Sequence, residues 1–161
     1  MSLSDRRALL VGLLALPLAA CGFTPAYAPG GAGQALRGQV RASDPQTSND
    51  FDFVAAFEQR LGRPGAPRYR LDYQITTSER GAARVAGLGE TRISILGTVD
   101  YALRDIASED VVTEGSLRNF TNYSTTDTQL STRRAREDAE ARLMRILADQ
   151  VAARLIAALA E

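Results

Sequence analysis

The sequence predicts an α/β fold: a two-layer sandwich in which two helices cover one face of a four-stranded, mostly antiparallel sheet. Three observations predict it. Segments near residues 36–42, 68–75, 93–103 and 111–123 carry apolar residues with period two. Segments near 49–61 and 128–160 repeat them every three to four residues. Their order is strand-helix-strand-strand-strand-helix, and helices with one apolar stripe each can close one sheet face.

The chain opens with Arg6 and Arg7, an apolar run over residues 8–16, Pro17, and then Leu18, Ala19, Ala20 and Cys21. Charge, a short apolar stretch and small residues form a signal-peptide layout. The run is too short for a bilayer, which needs about 20 apolar residues. Leu-Ala-Ala-Cys fits a bacterial lipobox: small residues enter a narrow protease cleft and the thiol is the nucleophile that takes the lipid. Residues 1–20 are therefore read as a lipoprotein signal peptide and Cys21 as the lipidation site, with two or three acyl chains giving stable anchoring. Cys21 is the only cysteine, so no internal disulfide is available. Residues 21–35, rich in Pro and Gly, read as a lipidated tether. Residues 36–161 remain as a single α/β domain, long enough to bury a core.

Within that domain Leu36, Gly38, Val40 and Ala42 alternate with polar residues and suggest a first strand. Ser48 or Asn49 can cap a helix with Asp50 and Asp52 in its first turn; Phe53, Val54, Phe57 and Leu61 form its stripe, and the run from Gly62 to Gly65 stops it. Tyr69, Leu71, Tyr73 and Ile75 mark the clearest strand. Residues 79–90, with Gly81, Gly87 and Gly89, read as a long hairpin connection. Gly87-Leu88-Gly89 has the start of a dinucleotide fingerprint, but no helix follows to supply a phosphate-binding N-terminus.

Ile93, Ile95, Val99, Tyr101 and Leu103 make the third strand, with Gly97 marking a bulge or close approach. In the fourth, Val111, Leu117 and Tyr123 share one parity and Val112 and Phe120 the other, which calls for a bulge at an unspecified position. Thr126 and Gln129 fit a capping box for the last helix, with Ser131 as an alternative start. A helix over 128–160 is about 50 Å long at ~1.5 Å per residue and is expected to cross the sheet diagonally. Strands two to four should form a meander, and strand one should reach the sheet by a right-handed crossover.

Composition narrows the chemistry. The chain has no histidine, and its 19 basic residues, all arginine, balance 19 acidic ones. This is not the footprint of a nucleic-acid binder. Without His or Lys there is no Ser-His, Cys-His or Ser-Lys machinery, no Schiff base and no His-ligated metal. No cofactor or metal is expected. Carboxylates could still run acid–base chemistry, and Asp50/Asp52 and Glu109/Asp110 are the nearest clusters. Acids at a helix start and in a polar turn account for both.

The sheet's second face should carry Arg68, Arg70, Asp72 and Gln74, then Arg92, Ser94, Leu96 and Thr98, then Glu114, Ser116, Arg118 and Phe120. It reads as a solvated face or as a docking surface for a partner or an anionic lipid.

Three features together resemble the lipopolysaccharide-assembly lipoprotein family LptE. They are Leu18-Ala19-Ala20-Cys21-Gly22-Phe23, the element order, and a closing part of Arg118-Asn119-Phe120, a Ser/Thr-rich stretch over 124–132, Ala139 and an amphipathic helix. The resemblance implies a non-enzymatic outer-membrane lipoprotein that plugs and helps assemble the β-barrel LptD and delivers lipopolysaccharide to the outer leaflet. Gly22, where retained lipoproteins commonly carry Asp, is compatible with that sorting. Because lipopolysaccharide carries phosphates, Arg70, Arg92 and Arg118 become candidate ligand or partner contacts. Two other readings stay open: an auxiliary lipoprotein of an ABC-type envelope lipid transporter, and a carboxylate-dependent glycan hydrolase, which needs two acids across a groove.

Overall fold

The computed structural model describes residues 30–85, 89–125 and 128–160. Residues 1–20, read as a signal peptide, Cys21, and most of the segment read as a tether lie outside the described residues. The elements are α1 (Ala32–Leu36), β1 (Val40–Ala42), α2 (Ser48–Leu61), β2 (Tyr69–Val85), β3 (Gly89–Asp105), β4 (Val111–Ser124) and α3 (Gln129–Ala158). The α/β class and the four-stranded sheet are as expected, with the order β1-β2-β3-β4. β1 runs parallel to β2, and β2, β3 and β4 form an antiparallel meander.

α2 starts one residue earlier than its apolar pattern suggests. Thr47 is the N-cap: its hydroxyl accepts from the Asp50 N–H at 3.2 Å, and the Asp50 carboxylate accepts from the Thr47 N–H at 2.9 Å. This reciprocal box satisfies two donors that the first helical turn leaves without partners. Asp50 thus has a structural post, as its position at a helix start suggested. Thr47→Ala is expected to cost about 1 kcal/mol, read as a drop of a few degrees in Tm. Gly62 ends the helix at φ 83°, a conformation open to glycine at little cost.

α2 presents Phe53, Phe57 and Leu61 to the core; β2 and β3 present Leu71, Ile95, Val99 and Leu103; and α3 presents Leu143, Leu147, Val151 and Leu155. All are essentially inaccessible and form one cluster. The Phe53 ring lies 4.9 Å from that of Tyr73 and 6.2 Å from that of Phe57. Burial pushes the Tyr73 phenol up to about 12, so it stays neutral.

α3 crosses the sheet diagonally. Near its start the Thr121 hydroxyl of β4 donates to the Ala139 carbonyl at 3.0 Å. Farther on, a Cβ added at Gly97 of β3 would stand 2.9 Å from Leu143 and 3.1 Å from Leu147. Gly97 is therefore the site of close approach, and the register through it is continuous.

Four local expectations are corrected. Leu36 is the buried end of the short helix α1, not part of a strand, so β1 has only three residues. Its alternation reflects one helical turn plus a turn at Gly38, whose φ is 70°. The segment 79–90 is mostly ladder rather than loop: Glu79 pairs with Ile95 and Arg80 with Ser94. Glu79 and Arg80 are exposed, so no burial pattern announces them, and the backbone carries the pairing. The α3 cap is Thr128, whose hydroxyl accepts from the Ser131 N–H at 3.3 Å. Thr126 lies outside the described residues. Finally, the bulge in β4 sits at its start, where Leu103 pairs with Thr113 but Arg104 with Val111. It places Leu117 and Tyr123 on the core face and leaves Phe120 exposed.

Candidate functional site

The candidate site is the sheet face opposite the helices. The registers set its rows: Arg70 with Arg104, Asp72 with Ala102 and Glu114, Gln74 with Asp100 and Ser116, Thr76 with Thr98 and Arg118, Ser78 with Leu96 and Phe120, and Arg92 with Ser124. The face is thus built from the residues their parity selected.

At the β1 end, arginine and acid are knotted together. The Arg70 Nε lies 3.2 Å from Asp72 and its Nη2 3.1 Å from Glu109. Arg104 reaches Asp72 at 3.3 Å and donates to the Glu109 carbonyl at 3.4 Å. The Ser43 hydroxyl donates to the same Asp72 carboxylate at 2.8 Å. Asp72 and then Glu109 raise the pKa of the Arg70 guanidinium by their negative charge. Glu109 adopts φ 61°, an unusual conformation for a residue with a side chain. Its turn is stabilised by Asp105, which accepts the Ala107 N–H at 2.9 Å and lies 3.1 Å from Arg68. Those two contacts hold the Asp105 carboxyl below the usual range. Its stabilisation is complete at neutral pH and is lost as pH falls through that lowered value.

In the middle, Phe120 is 58% exposed beside its cross-strand partner Leu96, so an apolar spot adjoins Arg118. The Arg118 Nε sits 3.4 Å from the Thr98 hydroxyl and, among the described residues, has no carboxylate partner. At the far end Arg92 and Arg142 share a shallow recess with Asn122 and Ser124. Arg142 reaches there from α3, its Nη2 donating to the Asn122 carbonyl at 3.2 Å.

The three proposed arginines therefore share a face but do not converge. Six residues of strand separate the row of Arg70 from that of Arg118, and six more lead to Arg92. At ~3.3 Å per residue each gap is about 20 Å. One phosphate cannot touch two of them. Sequence reasoning missed Arg104 and the recess that Arg142 and Arg92 both line. Parity would have found the first, but the second depends on how α3 crosses the sheet.

Of the acid pairs, Asp50 is spent on the α2 cap, and Glu109 on Arg70. Among the described residues no group of three metal-ligating side chains occurs. No helix among them is long and apolar enough to cross a membrane.

A small meander sheet with helices on one face is a fold that solved bacterial lipoproteins share. A candidate lipoprotein from Caulobacter crescentus superposes with a TM-score of 0.67 at 18% identity, covering 80% of this chain and 96% of that one. Rare lipoprotein B from Shewanella oneidensis gives 0.54 at 10% identity, over 74% and 92%. A minor lipoprotein from Acinetobacter baumannii gives 0.54 at 14%, over 74% and 93%. At these identities the likeness is one of fold. No curated protein matches the chain. The family model for LptE, described as lipopolysaccharide-assembly, matches residues 37–155. The chain belongs to the LptE family.

Proposed function

We propose that this chain is an outer-membrane lipoprotein, anchored by lipid on Cys21, that plugs and helps assemble an LptD β-barrel and hands lipopolysaccharide to the outer leaflet. The observation that carries it is the family match, which spans α2, the meander and nearly all of α3. The open face supports it. Arg118 beside Phe120 and Leu96 offers a guanidinium next to an apolar spot, the pairing that a phosphorylated acyl glycolipid presents. Arg92 with Arg142 offers a second cationic place. Arg70 contributes through its network with Asp72 and Glu109, so its loss should also disturb the turn that holds Glu109.

The test is affinity purification of the full-length protein from detergent-solubilised native envelopes. A large β-barrel recovered in near-equal amount is the expected result. A transporter complex in its place would refute the plug and favour the lipid-transporter reading. Charge reversal at Arg70, Arg92 and Arg118 together is expected to weaken lipopolysaccharide binding or barrel association. Unchanged binding by a folded triple variant would remove these residues from the site.

A further inference from the structure

β4 is an edge strand of 14 residues, and among the described residues no other strand pairs with its outer side. Long edges are liabilities that proteins blunt with lysine, proline, bulges or covering elements. β4 contains neither lysine nor proline. The Thr125 N–H donates to the Thr91 carbonyl of the facing segment, so odd-numbered backbone groups in β4 face β3 and even-numbered ones face outward. Two of those outward groups are already satisfied within the chain. The Phe120 N–H donates to the Asn119 Oδ1 at 2.8 Å, and the Asn122 carbonyl accepts from Arg142. At the other end the bulge opposite Leu103 and Arg104 distorts the strand. Between these limits the outward backbone groups of Glu114, Ser116 and Arg118 have no partner among the described residues.

The side chains of this window suit a second copy of the same strand. Glu114 and Arg118 are exposed, and neither has an ion-pair partner among the described residues. They lie about 13 Å apart along their own strand at ~3.3 Å per residue, too far to pair with each other. An antiparallel copy centred on Ser116 sets Glu114 opposite Arg118 twice. It also sets Gly115 opposite Leu117 on the helix side. Centring on Glu114 or on Arg118 would oppose like charges, which destabilises a cross-strand pair. α3 passes inward from this edge, because its path leads from Thr121 of β4 to Gly97 of the inner strand β3.

We propose that β4 is a homodimer contact: two copies pair antiparallel about a two-fold axis at Ser116, and their sheets run on into one continuous sheet. The proposal rests on β4 and does not depend on the lipopolysaccharide reading. It adds that Arg118, once paired across the axis, is withdrawn from phosphate, so the dimer and a ligand on that face compete for one guanidinium.

Full-length protein purified in detergent, free of partners, should sediment as a concentration-dependent dimer. Glu114→Arg should raise the dimer dissociation constant about tenfold or more, and Glu114→Arg with Arg118→Glu should restore it to within about threefold. Ser116→Pro removes an outward N–H that β3 does not use, so it should abolish the dimer while circular dichroism stays unchanged. A short thiol crosslinker should join copies of Ser116→Cys but not of Leu96→Cys, which lies away from the edge. Monomer at all concentrations, a dimer indifferent to both charge reversals, or equal crosslinking at 116 and 96 would overturn the proposal. With the same variant in native envelopes, crosslinking of 116 only to a β-barrel protein would overturn it too and assign the edge to that partner.

Discussion

Phe53→Ala is expected to destabilise the fold by about 3–5 kcal/mol, the range for deleting a fully buried aromatic side chain. Phe53 has no accessible surface and lies between the rings of Phe57 and Tyr73, where α2 meets β2. Neither ring can fill the vacated space without leaving its own position. Domains of this size are typically stable by about 5–15 kcal/mol, so much of the total would go. Urea denaturation should show an earlier midpoint with little change in slope. An unchanged midpoint would mean that α2 does not close the sheet through this ring. Phe51→Ala, on the exposed side of the same helix, should differ little from wild type.

Gly97→Leu has the second large effect, about 3 kcal/mol from overpacking. A Cβ at this position already stands 2.9 Å from Leu143, and a leucine adds three carbons where α3 crosses β3. The prediction has a stronger form. Leu143→Ala by itself should cost about 2–5 kcal/mol by leaving a cavity. Combined with Gly97→Leu, the added side chain occupies that cavity, and the double variant should fall short of the summed losses by about 1–3 kcal/mol. Simple additivity would show that the two residues do not share one contact in solution.

Much of the architecture was legible because burial writes itself into the order of residues. Tyr69, Leu71 and Tyr73 alternate because every second side chain of β2 faces the helices; Phe53, Phe57 and Leu61 recur because α2 buries one stripe. Where burial is absent, so is the signal. The ladder through residues 79–81 is held by backbone bonds from residues whose own side chains are exposed, and its composition resembled a loop. The cap of α2 was missed by one residue because Thr47, Ser48 and Asn49 can all cap, and only Asp50's reach back to the Thr47 N–H selects among them. The bulge could be inferred from the conflict between Val112 and Leu117 but not positioned, since that depends on what β3 presents opposite.

The candidate site divides in the same way. Parity alone put Arg70, Arg92 and Arg118 on one face, because period two is a property of the strand itself. The sequence also determined the lipobox layout, the absence of histidine and lysine, and the family to which the chain belongs. The tertiary structure decided that these arginines stand in separate rows, that Arg70 is tied to Asp72 and Glu109, and that Arg142 lines one recess with Arg92. It also decided which stretch of β4 is left without backbone partners. These outcomes depend on strand register and on the path of α3, both set by packing between residues far apart in the chain, and no local pattern encodes them.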